Sequence, residues 1–73
     1  MSKTLIFYNL PEELKTKTEI RQYLREGGSG PIKKVEFTHN PKFILVTFRT
    51  NEEARRAMML FNQIEGPIKV TFQ

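Results

Sequence analysis

Leu5-Ile6-Phe7-Tyr8-Asn9-Leu10-Pro11 is apolar on both sides of an extended backbone, with Leu5 and Phe7 facing one way and Ile6 and Tyr8 the other. Pro11 has no N–H to give to a ladder, so a first strand is predicted over Lys3 to Asn9 and ends there. Working outward, Thr16-x-x-Glu19 is a capping box, and Ile20, Tyr23 and Leu24 then recur at helical spacing. Gly27-Gly28-Ser29-Gly30 stops that pattern. Phosphate-binding glycine loops precede a helix so that its first amides meet the anion. These glycines follow one, so they read as a C-terminal cap and connector.

Ile32, Val35 and Phe37 predict a second strand, Asn40-Pro41 a turn, and Phe43 to Phe48 a third strand rich in β-branched and aromatic residues. Asn51 is the expected cap of a second helix, with Glu52 and Glu53 in its first turn, where the helix dipole favours acidic groups. Its apolar stripe is Ala54, Ala57, Met58 and Phe61. After Gly66-Pro67, Ile68, Val70 and Phe72 alternate with Lys69, Thr71 and Gln73, giving a fourth strand.

Two striped helices and four alternating strands predict a single domain over residues 1–73. Its class is α+β: a ferredoxin-like βαββαβ sandwich whose antiparallel sheet runs in the order 4-1-3-2, with both helices on one face. The helix side would bury Leu5, Phe7, Val35, Phe37, Ile44, Val46, Phe48, Ile68, Val70 and Phe72. Parity then assigns Ile6, Tyr8, Lys34, Glu36, Thr38, Phe43, Leu45, Thr47, Arg49, Lys69 and Thr71 to the open face. That face has a greasy centre and a mostly polar or basic margin.

Length and composition limit what such a domain can be. A chain of 73 residues buries only about 60% of its unfolded surface, so every core position counts. There is no cysteine and a single histidine, His39, so neither disulfides nor a structural zinc site supplement the packing. No apolar run approaches the roughly 18 residues that span a bilayer, and MSKTLIFY lacks a signal-peptide cleavage site. An intracellular monomer with no membrane association is expected. Lys and Arg outnumber Asp and Glu by 12 to 8, a formal charge of +4 that permits a polyanionic partner without requiring one.

The same residues resemble a known family, the RNA recognition motif, over nearly the whole chain. Leu5 to Pro11 is similar to the family's strand-one motif with its Asn-Leu-Pro ending, and Lys42-Phe43-Ile44-Leu45-Val46-Thr47-Phe48 to the end of the strand-three motif. Asn51-Glu52-Glu53-Ala54-Arg55-Arg56-Ala57 matches the usual opening of the second helix. The resemblance implies single-stranded RNA laid on aromatic rings of the sheet face. Carried over by position, the strand-one stacking site falls on Ile6 and the strand-three sites on Phe43 and Leu45, with Lys42 where the family has Gly. Tyr8, on the same face as Ile6, offers a second ring beside Phe43. Lys34, Arg49 and Lys69 are the expected phosphate contacts. Arg25 to Ile32 is also faintly similar to divergent recognition-motif domains of some poly(ADP-ribose) polymerases and interferon-induced proteins.

A rival reading gives the cluster Ile6, Tyr8, Phe43 and Leu45 to a protein partner, since aliphatic side chains suit a peptide or helix better than a base. A further segment, such as a helix after Gln73, is a third candidate occupant. No enzyme or cofactor is expected. His39 has no Asp, Cys or second His near it in sequence, and Glu12-Glu13 and Glu52-Glu53 read as helix-start chemistry. The hydrolases that share this architecture need an anion cradle after strand one, where Asn9-Leu10-Pro11-Glu12-Glu13 puts acid.

Overall fold

β1 (Thr4–Tyr8), α1 (Lys17–Glu26), β2 (Ile32–Phe37), β3 (Phe43–Phe48), α2 (Asn51–Asn62) and β4 (Lys69–Phe72) follow one another in a computed structural model that describes residues 3–40, 43–63 and 66–73. The four strands form one antiparallel sheet in the order β2-β3-β1-β4, which is the expected order read from the other edge. The α+β ferredoxin-like architecture is therefore present. The turn residue Pro41 and the strand-three neighbour Lys42 lie outside the described residues.

The core lies between the sheet and the helices. Leu5, Phe7, Val35, Ile44, Val46, Phe48 and Val70 from the sheet are buried against Ile20 and Leu24 of α1 and Ala54, Ala57 and Phe61 of α2. Each large apolar side chain fully buried here contributes about 1.5–3 kcal/mol, so this layer carries the fold. The alanines of α2 leave room for the rings beneath, where Phe7 and Phe61 meet edge to face with centroids 5.5 Å apart. Ile32, Ile68 and Phe72 are partly buried and pack around this centre.

Phe37 is a correction. It was expected in the core and is 45% exposed. Its parity is right, but β2 is an outer strand and Phe37 is its last residue, opposite Ile44. It borders a cleft of about 730 Å³ whose apolar lining includes Leu10, Leu14, Ile20 and Ile44. At the other end of β2 the register slips between Ile32 and Lys34, making Lys33 a bulge. The extra residue lets Ile32 and Val35, three positions apart, both lean toward the helices.

The caps divide between expectation and correction. In α1 the capping box is complete: the Glu19 amide donates to Thr16 Oγ1 at 3.1 Å, and the Thr16 amide donates to Glu19 Oε1 at 3.2 Å. In α2 the cap is Thr50, not the expected Asn51, which is the first helical residue. Thr50 has the extended backbone a cap requires (φ −133°, ψ 159°), and its Oγ1 accepts the Glu53 amide at 3.1 Å. At the end of α1, Ser29 N–H donates to the Leu24 carbonyl and Gly28 N–H to the Arg25 carbonyl, each at 3.0 Å. This is a Schellman stop, with Gly28 at φ 99° in the left-handed position.

Candidate functional site

The hydrogen-bond alternation of the sheet fixes which residues look out of its uncovered side. Phe48 N–H donates to the Lys3 carbonyl at 2.8 Å, so Val46 and Ile44 turn their backbone toward β1 while Leu45 and Thr47 turn theirs toward β2. Thr4 opposite Thr47, Ile6 opposite Leu45 and Tyr8 opposite Phe43 are then the non-hydrogen-bonded pairs of β1 and β3, whose side chains stand closest. These three pairs make a spine down the middle of the open face.

Each step of the spine has a different character. At one end the hydroxyls of Thr4 and Thr47 are 2.9 Å apart. In the middle Ile6 and Leu45 are half-buried aliphatics, flanked by Thr71 on β4 and Glu36 on β2. At the far end the rings of Tyr8 and Phe43 meet with centroids 4.8 Å apart and planes at 78°. Phe43 is 37% exposed, and the Tyr8 hydroxyl has no hydrogen-bond partner among the described residues. Lys69 lies directly across from Tyr8 on β4. Next to Phe43, the Thr38 hydroxyl lies 2.8 and 2.9 Å from the carbonyls of Asn40 and Phe43 and shares its one proton between them, tying the end of β2 to the start of β3.

The structure therefore brings Ile6, Tyr8, Phe43 and Leu45 together as the sequence predicts, with Lys69 beside them. Lys34 lies on the outer strand β2, Arg49 is an exposed residue just after β3, Lys42 lies outside the described residues, and His39 is an exposed residue after β2. No family model matches the chain, and no curated protein matches it. What the face can do is thus read from its own chemistry.

Sequence reasoning placed Glu36 on this face but missed what it does there. Lys34 Nζ lies 3.5 Å from Glu36 Oε1 within the same strand, so the expected phosphate contact already has an anion beside it. Both side chains are well exposed, and such a pair is worth little to stability. Its effect is on the field of the face: Glu36 offsets the Lys34 charge beside it, while Lys69 stands across from Tyr8 on β4. Positions i and i+2 of a strand share a face, so the spacing Lys34-x-Glu36 was the available signal. Among the described residues there is no group of three His, Asp or Glu side chains able to hold a metal, and no helix is long and apolar enough to cross a membrane.

Proposed function

We propose that the chain is an RNA-recognition-motif-like module that binds single-stranded RNA on the open sheet face, with Tyr8 and Phe43 as its stacking residues. The observation that carries this reading is the ring pair itself, partly exposed, perpendicular and with Lys69 across from Tyr8 on β4. Planes at 78° do not form one platform. A base lying flat on one ring meets the edge of the other, so the pair forms a corner for one base. A second base would need the outer face of the other ring and a turn in the RNA backbone. Ile6 and Leu45 extend the corner with apolar contact, while Lys69, Arg49, Lys34 and Lys42 are the candidate phosphate contacts.

Base stacking on an aromatic side chain is worth about 1–3 kcal/mol by alanine substitution, so Phe43→Ala is expected to weaken binding of short single-stranded RNA by about 5- to 150-fold. Phe43 is outside the core, and the fold should lose only the ring-pair contribution of about 0.5–1.5 kcal/mol. Fluorescence anisotropy with a set of short RNAs measures this; an affinity unchanged by Phe43→Ala rejects the stacking model.

A protein-binding reading is favoured by one feature, the acid Glu36 directly beside the aliphatic pair Leu45 and Ile6. An anion there repels a phosphate backbone and is neutral toward a peptide. Under this reading Leu45→Asp abolishes capture of the protein partner while weak RNA association stays nearly intact, which a parallel pull-down and anisotropy titration would separate.

A further inference from the structure

Beyond the outer edge of β2 the charge changes. On the open face Lys34 is offset by Glu36, 3.5 Å away. On the helix side a hollow of about 350 Å³ is lined by Arg21, Arg25, Ser29, Gly30, Pro31 and Ile32, which supply two guanidiniums and no carboxylate. Among the described residues none of Arg21, Arg25 and Lys33 makes an ion pair. Glu26, next to Arg25 in sequence, lines a different hollow and accepts a hydrogen bond from Gln22 Nε2 at 3.3 Å. Arg21 is held in place, donating to the carbonyls of Ile32 at 3.4 Å and Lys33 at 3.3 Å. A guanidinium has five N–H donors, so the fixed group keeps others to offer and loses little freedom when it does. Arg25 follows one helical turn later. Lys33, the exposed bulge residue, lies in the chain between Ile32 of the hollow and Lys34 of the open face.

We propose that this hollow is a second nucleotide site, taking a phosphate and its sugar from the same single-stranded RNA that places a base in the Tyr8–Phe43 corner. The inference rests on the RNA reading above and extends its path. Planar guanidinium forks take phosphate oxygens in pairs, and Pro31 and Ile32 give the sugar or base an apolar wall. The hollow lies at the small end of ligand clefts, which suits one nucleotide and not a helix. Continuity with the corner comes from the register. Lys34 stands opposite Thr47, four residues along β3 from Phe43, a rise of about 13 Å that a few nucleotides cover. From there Lys33, Arg21 and Arg25 continue the positive charge around the edge to the helix side. A succession of cations suits a polymer that repeats one negative charge per unit, and that favours a phosphodiester backbone over a peptide with scattered acids. A short RNA therefore ends on the sheet, and a longer one turns around β2 and enters the hollow.

Anisotropy titrations with a dinucleotide and a decanucleotide at several salt concentrations test the proposal, with circular dichroism to check that each variant is folded. Arg25→Gln should weaken decanucleotide binding by about two- to fivefold, the range of an exposed ion pair, and make its log-log salt slope shallower by about 0.7. Dinucleotide binding should be the same in Arg25→Gln and wild type. Arg25→Lys, which keeps the charge, should keep the slope. Phe43→Ala should weaken both oligonucleotides, so the two sites fail separately. Loss of affinity in Phe43→Ala with a decanucleotide affinity and slope unchanged by Arg25→Gln overturns the second site and leaves the corner standing. A decanucleotide sensitive to Arg25→Gln and indifferent to Phe43→Ala upholds the hollow and rejects the corner. Oligoglutamate of equal charge that displaces the decanucleotide as well as unlabelled RNA does would assign the hollow to carboxylates and overturn the inference.

Discussion

A Cβ built on Gly27 would stand 2.8 Å from Cε1 and 2.9 Å from Cζ of Phe61, closer than non-bonded carbons approach. The backbone there is ordinary (φ −77°), so Gly27 is required for space and not for conformation, whereas its neighbour Gly28 is required for conformation. Phe61 is buried and locked edge to face on Phe7, so it has nowhere to retreat. Gly27→Ala is therefore expected to cost about 1–3 kcal/mol in urea unfolding, as overpacking of a core does, while Gly30→Ala, with nothing within 4 Å of its built Cβ, should change stability little. The sequence showed four residues ending a helix but not which of them meets the core, since Phe61 is 34 positions away from Gly27. Asn9 was legible only as part of a motif. The physical reason for it is a left-handed backbone (φ 61°), which Asn tolerates, and a side-chain amide that donates to the Pro67 carbonyl at 3.2 Å.

The elements themselves were legible because their signals are local. Thr16-x-x-Glu19 forms the box its spacing promised, and alternation or helical spacing found all six elements. The second cap was misplaced by one residue because Thr50 and Asn51 are both capping types, and the tie is broken by the three-residue spacing to Glu53 that Thr16 and Glu19 also show. Edge finishing is not local and was not legible. Asn62 read as the plain end of a helix, yet its amide acts as a short extra strand for Val70. Asn62→Ala leaves both outward groups of Val70 without a protein partner, and loss of such a pair costs about 1–3 kcal/mol where the site is shielded. The expected outcome is lower stability together with faster hydrogen exchange at the Val70 amide, while the amides of β3 keep their relative protection. Exchange at Val70 that is unchanged in the variant would mean that Asn62 is only decorating the edge.

At the scale of the whole molecule, parity and a helix-covered face located the open side of the sheet, and the central residues Ile6, Tyr8, Phe43 and Leu45 came together there. Two properties of that surface depend on relations parity does not give: the angle between the rings, and the pairing that occupies Lys34. The second makes the net charge of +4 a poor guide to the face, because Glu36 places an anion next to its apolar centre. Glu36→Gln keeps the size and hydrogen-bonding reach of the side chain, removes that anion and releases Lys34. If the face binds RNA, the substitution should tighten binding and steepen its salt dependence, because each phosphate contact to a single strand adds about −0.7 to the log-log slope. Anisotropy titrations of Glu36→Gln at several salt concentrations measure both the affinity and the slope. An affinity and a salt slope unchanged by Glu36→Gln would remove Glu36 from this role.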